Sequence, residues 1–228
     1  MEKVSLGCVV VMPVASAPTR AAVPGTVFDG PMGSGEGQVV VVRHGQTEWS
    51  RSGQHTGVTD LPLLPEGEQQ GRALEAALSG WSFVEVRVSP RQRARRTAEL
   101  AGLAPNHVDE GLVEVDYGGY EGRTTAEISA ELGRKWSVWR DGTIPGETPG
   151  ETLPAVGARV DRVLRDVRDR LADGDVALVA HGHVLRVLTA RWLGLPPEAG
   201  ALFALAAGSF GVLGHEHDRP VLSAWALR

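Results

Sequence analysis

Four consecutive valines, Val39 to Val42, end abruptly in Arg43, His44 and Gly45. An unbroken β-branched run of this kind predicts a strand buried on both faces, as in a parallel sheet covered by helices. Residues 83–88 and 175–180 predict two more buried strands, the second aimed at His181. The period then changes: Val156, Val160, Val163, Val167 and Leu171 recur at three and four, predicting a helix over 152–172 with one face on the sheet. Further helices are predicted over 66–78, ended by Gly80, and over 184–193, ended by Gly194. Ser89 as N-cap and Pro90 at the first helical position open another, which Gly102 closes. Thr124 and Glu127 make a capping box for a short helix that Gly133 closes. Apolar runs at 208–213 and 220–225 are placed at the far end of the sheet. Alternation of strand and helix predicts an α/β fold, a layered α/β/α sandwich around a mostly parallel central sheet.

Composition narrows the function classes. At 228 residues the chain suits one domain with a sizeable core. Its formal charge of −5 provides no overall basic field for nucleic acid or acidic lipid, so an anionic ligand needs a local arginine cluster. Cys8 is the only cysteine, which excludes an internal disulfide and disfavours cysteine-based phosphate chemistry and cysteine-ligated zinc. Residues 1–37 are set apart as a disordered or mis-assigned extension ahead of a domain over 38–228. They are rich in Pro, Gly, Ala and Ser, and their apolar stretch 4–14 is shorter than the roughly 20 residues of a membrane span. The reading is of a cytoplasmic protein without a membrane partner.

The candidate chemistry lies where strands end. His44 and His181 each follow a buried strand immediately, and ligand sites in α/β sheets form outside the carboxyl ends of strands. If those strands are neighbours, both imidazoles face one crevice. Arginine beside histidine offers fixed positive charge next to a nitrogen nucleophile, which suits phosphate chemistry. Three later segments extend the pattern. They are Ser89-Pro90-Arg91-Gln92-Arg93-Ala94-Arg95-Arg96-Thr97-Ala98, Glu114-Val115-Asp116-Tyr117-Gly118-Gly119-Tyr120-Glu121-Gly122, and Val179-Ala180-His181-Gly182-His183. Taken in order with Arg43-His44-Gly45, they resemble the histidine phosphatase (phosphoglycerate mutase-like) superfamily, and the run 51–63 resembles its loop after the first histidine.

The resemblance implies neighbouring strands, metal-independent catalysis and no cofactor. It implies His44 as nucleophile, His181 as its partner, Arg43 and Arg93 as phosphoryl clamps, and Glu114 as the proton donor to the leaving group. Thr47, Ser50, Thr56, Gly57 and His183 are the expected substrate contacts, His183 standing where mutases more often carry asparagine. Arg91, Arg95 and Arg96 are read as a solvated helix face, and Glu121 and Glu127 as surface or helix-dipole charges. His181-Gly182-His183 on an extended segment would put both rings on one side, and His215 and His217 repeat that spacing in a turn between the last two strands. No cysteine- or carboxylate-rich set accompanies either pair, so no metal site is expected. The expected partner is a small phosphorylated metabolite such as a sugar phosphate. Between Glu114 and His181 the chain lacks the longer basic insertion of the mutases, and Gly118 to Gly122 resembles the phosphatase branch. A phosphatase is therefore expected. A mutase-type phosphotransferase is the first alternative and a non-catalytic phospholigand-binding protein the second.

Overall fold

The computed structural model describes residues 37–228; the expected extension falls almost wholly outside the described residues. Six strands form one sheet: β1 (Val39–Arg43), β2 (Phe83–Val88), β3 (His107–Val108), β4 (Asp175–Ala180), β5 (Phe210–Glu216) and β6 (Arg219–Leu227). Their order is β3-β2-β4-β1-β5-β6. The first four run parallel, while β5 pairs antiparallel with β1 and β6 antiparallel with β5.

Seven helices are joined to this sheet: α1 (Glu48–Ser52), α2 (Pro65–Leu78), α3 (Gln92–Leu100), α4 (Thr125–Glu131), α5 (Val138–Asp141), α6 (Leu153–Arg168) and α7 (Gly182–Trp192). Two buried clusters lie on opposite faces of the sheet. Val39, Val41, Val176 and Leu178 face α6 and α7, whereas Val40, Val42, Ala177 and Val179 face α2 and α3. This is why β1 and β4 carry no polar alternation: both faces of the strand are core. Burying each β1 valine contributes roughly 1.5–3 kcal/mol relative to leaving it exposed.

Several predicted boundaries hold and several move. β2 and β4 span the predicted residues, and Thr124 caps α4 with Glu127 closing the box. Helix α6 starts after Thr152 as expected but ends at Arg168, and a turn then delivers Leu171 to the core. Ser89 is not the N-cap of α3. Its N–H still donates to Val179 O at 3.0 Å, so it extends the strand pairing, and the helix starts after Arg91 without a side-chain cap. Helix α7 begins at Gly182, two residues earlier than predicted, with His181 as its N-cap. His183 is therefore helical, and the two histidines do not share one side of an extended segment. His217 lies in the β5–β6 turn with Asp218, both at positive φ as a two-residue hairpin turn requires. His215 instead belongs to β5 and packs against Trp192 with ring centroids 5.0 Å apart.

Candidate active site

The parallel register pairs Val42 with Val179 and Arg43 with Ala180, so β1 and β4 end side by side and release His44 and His181 together. Their ring centroids are 5.1 Å apart. Both imidazoles are buried, His181 completely. The loop after His44 passes very close to α2. A Cβ on Gly45 would lie 2.2 Å from Gly67 O, and one on Gly67 would lie 2.1 Å from Gln46 O. Two glycines thus permit the backbone contact that fixes the turn bearing His44.

Hydrogen bonds set the protonation of each ring. His44 Nδ1 is 2.7 Å from Gly45 O. A carbonyl only accepts, so Nδ1 carries the hydrogen and Nε2 keeps its lone pair. Arg93 Nε donates to His181 Nδ1 at 3.1 Å, and a guanidinium never accepts. The His181 hydrogen therefore sits on Nε2 and is donated to Ser89 Oγ at 2.7 Å. Burial, reinforced by Arg93 and Arg43, holds His44 well below the usual imidazole range. Burial and Arg93 do the same to His181. Both rings stay neutral at neutral pH.

Arg93 is fully buried and reaches three loop carbonyls: Nη1 donates to Thr59 O at 2.9 Å, and Nη2 to Thr56 O and Gly57 O at 3.2 and 3.3 Å. That loop is held from behind by Glu121, whose carboxylate accepts from Gly57 N and Thr59 N. Glu121 is thus neither a surface charge nor a helix-dipole partner. Arg43 donates to Leu205 O, while its buried Nε has no protein partner. Its guanidinium lies against Gly182, where a Cβ would come within 3.1 Å of Cζ. Arg95 and Arg96 are exposed as expected, Arg96 pairing with Glu68 and Glu99. Arg91 is only half-exposed, with its Nε buried and unpartnered, so the solvated-face reading fails there.

Glu114 meets the first turn of α7. Its Oε1 accepts from Val184 N at 2.8 Å and Val115 N at 3.0 Å, and its Oε2 from His183 N at 2.9 Å. Oε2 has one acceptor position fewer in use, which leaves room there for a proton. The neighbouring Asp116 is consumed in holding Gly118 N, Gly150 N and the Thr148 hydroxyl.

Arg43, His44 and Glu114 line a cavity of about 160 Å³. Ser50, Thr56 and His183 line it too. Thr47 and Gly57 stand behind it instead. Thr47 is fully buried as the N-cap of α1, bonded to Ser50, and Gly57 bonds Glu121 and Arg93. The cavity adds His55, Tyr117 and Arg186, which were not expected there. His55 and Tyr117 lie in segments that resemble family motifs, and Arg186 follows His183 by one helical turn. Among the described residues no group of three or more His, Cys, Asp or Glu could hold a metal ion.

The buried imidazoles give stability a definite pH dependence. Burial brings His55 down to about 4, and His183 is also held well below its usual range. In the unfolded chain all four take protons near pH 6.5. Their contribution is complete above that value and is lost as pH falls, for His55 over the interval from 6.5 to about 4. Urea unfolding in phosphate-free buffer should show lower stability at pH 5.5 than at pH 7, a window above the usual carboxylate range. His44 and His181 should each account for about 1 kcal/mol of that loss. Unchanged stability across the window would mean that the rings are already charged in the fold.

A parallel sheet that releases two neutral imidazoles beside two guanidinium groups and a carboxyl defines a class of phosphoryl-transfer protein. Residues 39–228 match the model of the histidine phosphatase superfamily (branch 1), and the chain belongs to that family as a phosphatase-type enzyme. It is 37% identical over 203 residues to an acid phosphatase of Mycobacterium tuberculosis, covering 86% of this chain and 95% of that one. To the sedoheptulose 1,7-bisphosphatase of Saccharomyces cerevisiae it is 40% identical over 183 residues, 68% of this chain and 67% of the other. The structure of mycobacterial glucosyl-3-phosphoglycerate phosphatase is similar with a TM-score of 0.71 at 28% identity, covering 85% of this chain and all of that one. Proteins named probable phosphoglycerate mutase GpmB are also among its relatives.

Proposed function

We propose that the protein hydrolyses small phosphomonoesters, sugar phosphates foremost, through a phosphohistidine on His44. The observation that carries this reading is the Nδ1–H of His44 committed to Gly45 O, which leaves a lone pair on Nε2. In the first step Nε2 attacks phosphorus, an N–P bond forms and the ester P–O bond breaks. Arg43, through its free Nε, and Arg93 hold the transferring oxygens, and the amides opening α7 add positive partial charge. Glu114 passes its proton to the departing alkoxide, giving a neutral alcohol. In the second step the Glu114 carboxylate takes a proton from water, the water oxygen attacks phosphorus, and the N–P bond breaks to release phosphate. Glu114 is then protonated again. We place the reaction in the cytoplasm, because doubly charged phosphate esters do not cross membranes unaided.

Leaving groups provide the test. Glu114→Gln should lose on the order of 10²- to 10⁴-fold in kcat/KM on alkyl phosphates, whose alkoxides need a proton, and far less on p-nitrophenyl phosphate. A uniform loss on both removes Glu114 from the acid role. Asp116 and Glu121 are weak replacements, since neither lines the cavity that Glu114 shares with His44. The relatives named as mutases support a second reading, transfer of the phosphoryl group to monophosphoglycerate instead of water. Stimulation by bisphosphoglycerate would favour it.

A further inference from the structure

The carbonyl that fixes the hydrogen of His44 is bonded onward to a side chain outside the cavity. Gly45 O, which accepts from His44 Nδ1, belongs to the peptide group whose nitrogen is Gln46 N. That nitrogen donates to Gln70 Oε1 at 2.8 Å. A backbone N–H only donates, so the oxygen end of the Gln70 amide faces it. The peptide is trans, and its carbonyl and N–H point in opposite directions. The His44 ring and the Gln70 amide thus stand at the two ends of one hydrogen-bonded chain.

The fold confines Gln70 to this place. It stands on α2 one turn after Gly67, whose missing side chain lets the helix approach Gln46. Against its stem lies Gly208, at φ 64, where a Cβ would fall 2.5 Å from Gln70 Cβ. Gly208 N also donates to His44 O at 3.0 Å, so the segment that holds the His44 backbone is the one that packs on Gln70. Gln70 does not line the cavity.

Peptide resonance couples the two bonds. An acceptor on the N–H favours the form with negative charge on oxygen, and a more negative oxygen accepts more strongly. A stronger acceptor at Nδ1 leaves more electron density on Nε2, the atom that attacks phosphorus. Burial, then Arg93 and Arg43, weaken the His44 ring as a base, and the bond to Gly45 O opposes them. The cations that hold the phosphoryl group therefore blunt the nucleophile, and the chain from Gln70 restores it.

We propose that Gln70 is a positioning residue for the nucleophile, acting through the Gly45–Gln46 peptide to hold the hydrogen of His44 on Nδ1 and to strengthen Nε2 for attack. This inference rests on the phosphatase reading and adds to it a residue that touches neither the substrate nor the ring.

Two readouts test it. Gln70→Met has similar length and lacks the amide oxygen. It should slow the first-turnover release of p-nitrophenol roughly three- to tenfold, the range of one lost hydrogen bond, with half-saturation by p-nitrophenyl phosphate unchanged. Gln70→Glu, which keeps an acceptor oxygen, should recover most of that rate. In ¹⁵N-histidine-labelled protein the Nδ1–H proton of His44, assigned by its loss in His44→Ala, should move upfield in Gln70→Met and return towards its native position in Gln70→Glu. Thr97→Val is the control for a loosened turn. Its hydroxyl accepts from Gly45 N at 3.0 Å, in the peptide on the other side of Gly45, so its loss should leave the proton in place. An unmoved proton or a native first-turnover rate in Gln70→Met overturns the proposal, and so does an equal upfield movement in Thr97→Val. If the native protein releases no p-nitrophenol and hydrolyses no other phosphomonoester, the phosphatase reading falls, while the proton in the free protein still decides whether Gln70 acts on His44.

Discussion

Replacing His44 by alanine should reduce kcat on p-nitrophenyl phosphate by on the order of 10⁴-fold or more, the usual consequence of deleting a covalent nucleophile. The fold should survive. His44 bonds through Nδ1 only to the carbonyl of the next residue, and the turn around it is fixed by Gly45 and Gly67. Substrate binding should survive too, because Arg43 and Arg93 come from other positions. A rapid quench of the native enzyme with a ³²P-labelled substrate should trap an acid-labile, base-stable adduct that the variant lacks. Full turnover in His44→Ala without such an adduct would move the nucleophile elsewhere, with His181 the next candidate.

The second large effect is expected at Arg93. Arg93→Ala should cost on the order of 10²- to 10³-fold in kcat/KM, because a buried, preorganised cation acts most strongly on the charge that develops in the transition state. Arg95→Ala, three ångströms of helix rise further on and in solvent, should stay within a few-fold of the native value. Arg93→Lys should recover little. One ammonium cannot reach His181 Nδ1 and the carbonyls of Thr56, Gly57 and Thr59 together. Similar losses in the two alanine variants would show that the wrong arginine has been placed in the clamp.

The central strands, their neighbouring helices and the main histidines were legible because each leaves a local mark. Val39 to Val42 admits no half-exposed strand, and a polar triplet directly after it marks the sheet edge. Most of the differences lie at element boundaries. Helix α7 is capped by a histidine whose ring is bonded elsewhere, so no Ser, Thr, Asp or Asn marks its start, and the sequence pattern puts His183 outside the helix. Ser89 has the composition of a cap, but the continuing β4 pairing and the His181 ring claim it. Helix α1 went unpredicted because it buries nothing, so it leaves no apolar stripe, and its capping box carries Ser50 where Glu or Gln is usual. Arg186 was hidden differently. On a helix dense in arginine its charge looks like solvated surface, and only the 197–202 turn, distant in sequence, gives it a face on the cavity.

The bonds running from Glu121 through the 56–59 loop to Arg93 and on to His181 join pieces of chain up to 125 residues apart, and only Arg93, at the start of α3, lies within a helix or a strand. Such an arrangement has no cooperative ladder of its own, so it opens at a lower free energy than the sheet it sits on. Activity should consequently vanish at urea concentrations where far-ultraviolet circular dichroism is still native. Titrating with a phosphate analogue such as vanadate should draw the two transitions together, because a ligand bound across the gap ties the loop to the sheet. The working part of this enzyme is therefore also its earliest point of failure, and catalytic half-life, not melting temperature, is the quantity that selection on the protein would register.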